Sequence, residues 1–174
     1  MFERILLALD DSPAGEVATA FTGALAQAQA QRAEGETSVH VLHVNERLVG
    51  GHGVTLHTRQ EATDLVTEAV HRLADSGVRA SGSICVSSCR GVPGRIVAVA
   101  AERSVGAIVL GSDRRRRLGR LFSAQVRERT TRLTSLPVLV APAPLRVTSS
   151  LGGGGDLWDG TLDQVLDSLF NRVN

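Results

Sequence analysis

The sequence predicts an α/β fold: a five-stranded parallel open sheet with helices on both faces, followed by a C-terminal amphipathic helix. Four short runs are largely apolar, a fifth is weaker, and segments with helical spacing separate them. Strands of that kind are covered on both faces, as in a parallel sheet between helices. The order reads β-α-β-α-β-α-β-α-β, and its crossovers are expected to be right-handed.

Ile5 to Leu9 is the first strand, and Asp10-Asp11-Ser12-Pro13 ends it with turn and capping chemistry. Pro13 suits a first helical turn. Val17, Phe21, Ala24, Leu25 and Ala28 then recur at helical spacing to about Arg32. Ser38 to Val44 is the second strand, and the glycine-bearing stretch Leu48 to Leu56 is a loop. Ala62, Leu65, Val66, Ala69, Val70 and Leu73 form the stripe of a second helix, which Gly77 ends. Val78 to Val86 is a weaker third strand because it carries Ser81, Gly82 and Ser83. Gly91-Val-Pro-Gly94 opens a third helix through Ile96, Val97, Val99, Ala100 and Ala101, with Pro93 in its first turn. Ala107 to Leu110 is the fourth strand, Ser123 to Leu133 the fourth helix, and Pro137 to Ala141 a short, proline-bounded fifth strand.

After Pro144 the core pattern stops, so residues 1–145 read as the domain. Residues 146–156, with four successive glycines, read as a flexible linker. Residues 157–174 read as an acidic helix. Trp158, Leu162, Val165, Leu166, Leu169, Phe170 and Val173 share one face, and Asp159, Asp163 and Asp167 lie opposite. A lone helix of about 15 residues is marginal in water. Its apolar face is therefore expected to bury against its own domain, another subunit or a protein partner. The acidic face argues against an anionic membrane surface.

Composition excludes several kinds of function. All 19 basic residues are arginine, so no lysine serves as a phosphate clamp or Schiff-base nucleophile. A net charge of +1 argues against a globally basic nucleic-acid binder. Charge is nonetheless uneven. Residues 112–132 hold eight arginines, four of them in a row at Arg114 to Arg117, and the tail holds four aspartates. Phe122 is the only aromatic residue among those arginines, so base stacking is not supported. Cys85 and Cys89 are too few for a zinc site, and His40 and His43 lack matching spacing. No metal ligands are expected. Asp10 and Asp11 interrupt the first apolar run, and no run approaches the roughly 18 apolar residues of a membrane span. A soluble cytoplasmic protein with reduced thiols is the expectation.

In an open parallel sheet, ligands sit at the carboxyl ends of strands near a topological switch point. That places Asp10, Val44, Ser88 to Gly91 and Gly111 to Arg117 around one crevice. No His-Glu-x-x-His or Gly-x-Ser-x-Gly motif is present, and no catalytic residue is assigned. His43, flanked by Val41, Leu42 and Val44, reads as a core or rim residue. Cys85 is expected in the core and Cys89 in a loop.

Arg-Ile-Leu-Leu-Ala-Leu-Asp-Asp-Ser (Arg4 to Ser12) resembles the first strand of universal stress proteins. His40-Val-Leu-His-Val44 resembles their second strand, Ile108-Val-Leu-Gly-Ser112 their fourth and Leu136-Pro-Val-Leu-Val140 their fifth. The resemblance covers about residues 1–145. It implies strand order 3-2-1-4-5, a role in stress response, and a homodimer formed through the strand at 137–141. An apolar edge strand there agrees with pairing between subunits.

Members of that family that bind ATP resemble one another in a pattern: Gly, two residues, Gly, nine residues, Gly, then Ser or Thr. Its positions fall here on Gly111, Arg114, Ala124 and Gln125, so one of four survives. Glycine serves such loops by reaching φ > 0 and admitting close approach of the backbone. The leading expectation is a degenerate ATP site, no cofactor, and a non-catalytic protein acting through dimerisation and partner binding. The alternative is an ATP sensor in which arginines hold the phosphates as bidentate donors. Nucleotide would then contact Asp10, Val44, Gly111, Arg114, Gln125 and Val126.

Overall fold

The computed structural model describes residues 2–33, 35–47, 54–112 and 123–142. All of them lie in the compact unit Met1–Ala143. The linker at 146–156 and the helix at 157–174 fall outside the described residues, as does Arg114.

Ten elements build the unit. They are β1 (Arg4–Leu9), α1 (Pro13–Ala33), β2 (Ser38–Arg47), α2 (Arg59–Asp75), β3 (Arg79–Ser88), a short 3-10 turn (Cys89–Gly91), α3 (Val92–Glu102), β4 (Ala107–Leu110), α4 (Ser123–Leu133) and β5 (Val138–Val140). The strands form one parallel sheet in the order β3-β2-β1-β4-β5. This is the expected α/β architecture. β1 sits at the centre, pairing Ile5 with Val39 on one side and with Ala107 on the other. Ile5, Leu6 and Leu7 are fully buried, as their unbroken apolar run requires.

Alternate residues of the sheet enter two layers. Leu6, Leu42, Val44, Ile108 and Leu110 pack with Val92, Ile96, Val99 and Ala100 of α3. On the other face lie α1, with Phe21 and Leu25 buried, and α2, with Ala62, Val66, Ala69 and Leu73 buried. Gly82 lets α2 approach β3: a Cβ there would overlap Val66 Cγ1 and lie 3.2 Å from Val70 Cγ2.

Local chemistry sets the helix ends. Thr58 caps α2: its hydroxyl accepts from the Glu61 amide at 3.2 Å, and its own amide donates to Glu61 Oε2 at 2.7 Å. At the other end Gly77 adopts φ 77°, with Gly77 N donating to Ala74 O and Val78 N to Leu73 O. That pair of bonds is a Schellman close. Ser104 closes α3 in the same way, at φ 50°, without being glycine.

Several boundaries differ from the sequence expectation. β2 runs three residues beyond Val44, because Asn45, Glu46 and Arg47 pair with Val86, Ser87 and Ser88. Thr55, read as loop, bridges back to Arg47 in antiparallel sense. α3 begins at Val92, with Pro93 in its first turn as expected. Cys85 is half-buried against the core cluster, and Cys89 lies in the 3-10 turn. Among the described residues no helix is long and apolar enough to cross a membrane.

Candidate functional site

The carboxyl ends of β1, β2 and β4, where the strand order puts the switch point of an open sheet and hence its expected crevice, take residues from three connections. After β1, Asp10 is exposed and its Oδ1 accepts from Ser12 Oγ at 2.5 Å. Ser12 O in turn accepts from the Gly15 amide at 2.8 Å, opening α1. Asp10 thus holds the turn that starts a helix. After β4, a Cβ on Gly111 would lie 3.2 Å from Ala14 O and 3.4 Å from Ala14 Cβ. A side chain there would be tightly packed, and glycine lets β4 end close against the first turn of α1. Ser112 follows; it is buried, and its hydroxyl has no partner among the described residues.

β2 contributes three residues in succession. His43 is 3% exposed, and its Nδ1–H donates to Leu9 O at 3.0 Å. That bond leaves Nε2 as the lone-pair nitrogen, buried and without a partner among the described residues. Burial holds the His43 pKa below the usual histidine range, and the nearby His57 adds to this. The Leu9 carbonyl, Asp10 and Asp11 oppose it. Val44 points into the core cluster, so only its backbone is placed to face a ligand. Asn45 is buried and clamps the backbone of His57, donating from Nδ2 to His57 O at 2.8 Å and accepting from His57 N at 3.1 Å.

His57 therefore reaches the crevice from the segment before α2. Its Nε2 meets Asp11 Oδ2 at 3.2 Å, and its Nδ1 is buried without a partner among the described residues. The rings of His43 and His57 stand edge to face, with centres 5.2 Å apart and planes at 67°. Just beyond, Glu61 is a capping group. The Thr58 amide and hydroxyl hold its carboxylate below the usual range.

Of the residues named from the sequence, Asp10 and Gly111 directly follow β1 and β4, and Val44 lies within β2, three residues before its end. Gln125 and Val126 belong to α4, where Gln125 is exposed and Val126 packs half-buried on the core cluster. Farther along α4, Arg127 Nε and Thr130 Oγ1 are buried and unpartnered among the described residues. No group of three or more metal-ligating side chains occurs among the described residues.

Sequence reasoning misses His57 and Asn45. Their association spans twelve residues through side chain to backbone bonds, which no local pattern reports. The Thr58-x-x-Glu61 spacing is the available signal, since a capping box fixes where α2 begins and hence where His57 sits.

No curated protein matches the sequence. A universal stress protein family member from Burkholderia pseudomallei shares 22% identity, covering 81% of this chain and 96% of its own, with a TM-score of 0.58. A universal stress protein from Archaeoglobus fulgidus, solved in complex with dAMP, shares 23% identity over 80% of this chain and 97% of its own, with a TM-score of 0.57. One solved in complex with cAMP shares 17% identity over 80% and 95%, with a TM-score of 0.59. At these identities the likeness is one of fold. The model of the universal stress protein family matches residues 1–142, nearly the whole sheet domain, and on that match the chain belongs to the universal stress protein family.

Proposed function

We propose that this universal stress protein is non-catalytic and works in the cytoplasm through dimerisation and partner contacts, its ATP site being degenerate. The observation that carries this reading is the packing of Gly111 on Ala14. Gly111 is the one surviving position of the family's nucleotide pattern, and its close approach to α1 accounts for it without a phosphate. Asp10 likewise has a turn to hold. Dimerisation is supported by β5, a terminal strand of three residues with Val140 42% exposed. Edge strands of that kind are paired or blunted in stable proteins. The C-terminal helix is proposed to take a protein partner along its apolar face.

A second reading, a nucleotide sensor, draws on the buried, unpartnered Ser112 hydroxyl just before the arginine run. It also draws on the relatives solved with dAMP and cAMP. Calorimetric titration with ATP separates the two. The first reading expects no binding tighter than ~100 μM, about −5.5 kcal/mol. Tighter binding that Arg114→Ala abolishes overturns it in favour of the sensor.

A further inference from the structure

We propose that the face of the domain formed by α3 and α4 docks an acidic segment of a partner protein. These two helices pack on each other and on one face of the sheet, where Val126 of α4 joins the cluster built around α3. α1 and α2 cover the other face. Charge divides along the same line. The turn before α3, α3 with its C-terminal cap, and α4 carry Arg90, Arg95, Arg103, Arg127, Arg129 and Arg132 against Glu102 and Glu128. α1 and α2 carry five carboxylates against three arginines. The bias runs through the sequence: residues 90–132 hold eleven arginines and three carboxylates, whereas residues 1–89 hold six arginines and eleven carboxylates. Strand order β3-β2-β1-β4-β5 sends the early and late helices to opposite faces, which turns a difference between halves of the sequence into a difference between two surfaces.

The arginines of this face are available to a ligand. Arg90, Arg95, Arg103 and Arg129 are exposed, and their side chains make no ion pair or hydrogen bond among the described residues. Arg127 is half-buried, and its Nε also lacks a partner there. Arg132 alone is engaged, by Glu128 one turn away at 2.6 Å. One exposed guanidinium gains little from one carboxylate in water. Several of the same sign on one layer raise the local potential and draw in a ligand that carries matching charge. Each guanidinium also offers a planar fork that takes a carboxylate through two hydrogen bonds.

An acidic peptide suits this face better than a nucleic acid. Neither α3 nor α4 contains an aromatic residue, so bases have no platform on which to stack. Glu102 and Glu128 interrupt the arginines, and a backbone charged at every step meets repulsion there that a peptide with spaced carboxylates avoids. The net charge of +1 gives a long polyanion no attraction beyond this one face. Docking here requires neither the partner contact proposed for the C-terminal helix nor a bound nucleotide.

The test is fluorescence anisotropy of a labelled polyglutamate peptide titrated with the full chain. At ~0.05 M salt the peptide should bind with a Kd below ~100 μM, about −5.5 kcal/mol. At ~0.3 M salt binding should weaken at least about tenfold, since screening shortens the reach of exposed charges. A polyglutamine peptide should not bind. Arg95→Glu and Arg129→Glu, at exposed positions of α3 and α4, should each weaken binding at least about fivefold, and the double variant further. Arg59→Glu makes the same charge reversal on α2, on the opposite face, and should change affinity by less than about twofold. Absence of binding at low salt, binding that ignores salt, or unchanged affinity in the double variant each overturns the proposal. An equal loss in Arg59→Glu also overturns it, because the peptide would then respond to net charge alone. Tighter binding of single-stranded DNA than of the peptide, lost in the same double variant, assigns the face to nucleic acid and overturns it as well. Where a reversal fails to fold, Arg95→Gln and Arg129→Gln decide the matter by the same direction of change.

Discussion

Gly82→Ala is the sharpest test of how α2 lies on the sheet. Glycine inside a strand is ordinarily a weakness, and alanine should gain roughly 0.5–1 kcal/mol in backbone entropy. At this position the new methyl would overlap Val66 Cγ1 and stand 3.2 Å from Val70 Cγ2. Val66 is 6% exposed and Gly82 is flanked by paired backbone, so neither side yields without moving α2. Overpacking of this kind costs about 1–3 kcal/mol, which outweighs the entropic gain and leaves a net loss near 1–2 kcal/mol. For a domain of this size that is a fall of about 2–8 °C in Tm. Val66→Ala alone removes two buried methyl groups and should also destabilise. In the double variant the methyl introduced at position 82 occupies the space that Val66 vacated. Its stability should therefore match or exceed that of Val66→Ala, with a coupling of at least about 1 kcal/mol. Urea unfolding of all four proteins measures this. A stabilising Gly82→Ala, or simple additivity, would refute the packing argument.

Other expectations follow from single contacts. Ser104→Gly relieves a non-glycine residue at φ 50° and should raise stability by about 0.5–1 kcal/mol in thermal melts. Thr58→Ala removes the hydroxyl that caps α2 and should cost about 1 kcal/mol in urea unfolding, whereas Thr58→Ser should cost less. His40 and His43 both titrate below the usual histidine range, chiefly through burial, so the unfolded chain binds their protons first. Stability should therefore be full above pH ~6.5 and decline as pH falls below it, by at most about 1.4 kcal/mol per pH unit for each histidine. Urea unfolding at several pH values checks the sign; stability that rises on acidification would contradict it. Val140→Lys places a charge on the exposed edge of β5; on the proposed dimerisation through β5, sedimentation should give a dimer for the parent chain and a monomer for this variant.

The legibility of this molecule varies with the range of the interactions involved. β1 and β4 are plain in the sequence because strands covered on both faces are apolar at every position. β3 is harder to read, since Ser81, Gly82 and Ser83 carry little strand preference. It exists because β2 pairs with it along its whole length and because α2 needs the space that Gly82 leaves. The polar end of β2 is hidden for a related reason. Asn45, Glu46 and Arg47 look like loop residues until their partners on β3 are known. Strand order comes from family resemblance and not from periodicity, which carries no information about neighbours. At the site, Asp10 and Gly111 can be placed from the strand ends. His43 reads as a buried or rim residue, which it is. Its free nitrogen is not legible, because the Leu9 carbonyl that selects the tautomer lies on another strand.

Strand order also bears on how the chain is made. β1 is synthesised first yet lies in the middle of the sheet, between β2 and β4. One of its edges can close as soon as Ser38–Arg47 emerges. The other stays open until Ala107–Leu110 has left the ribosome, with the fully buried Ile5, Leu6 and Leu7 meanwhile lacking half their cover. At roughly 5–20 residues per second that interval lasts several seconds. Non-local parallel pairing of this sort folds slowly and exposes sticky intermediates. A nascent half-sheet ending after β3 would thus be the species most in need of a chaperone.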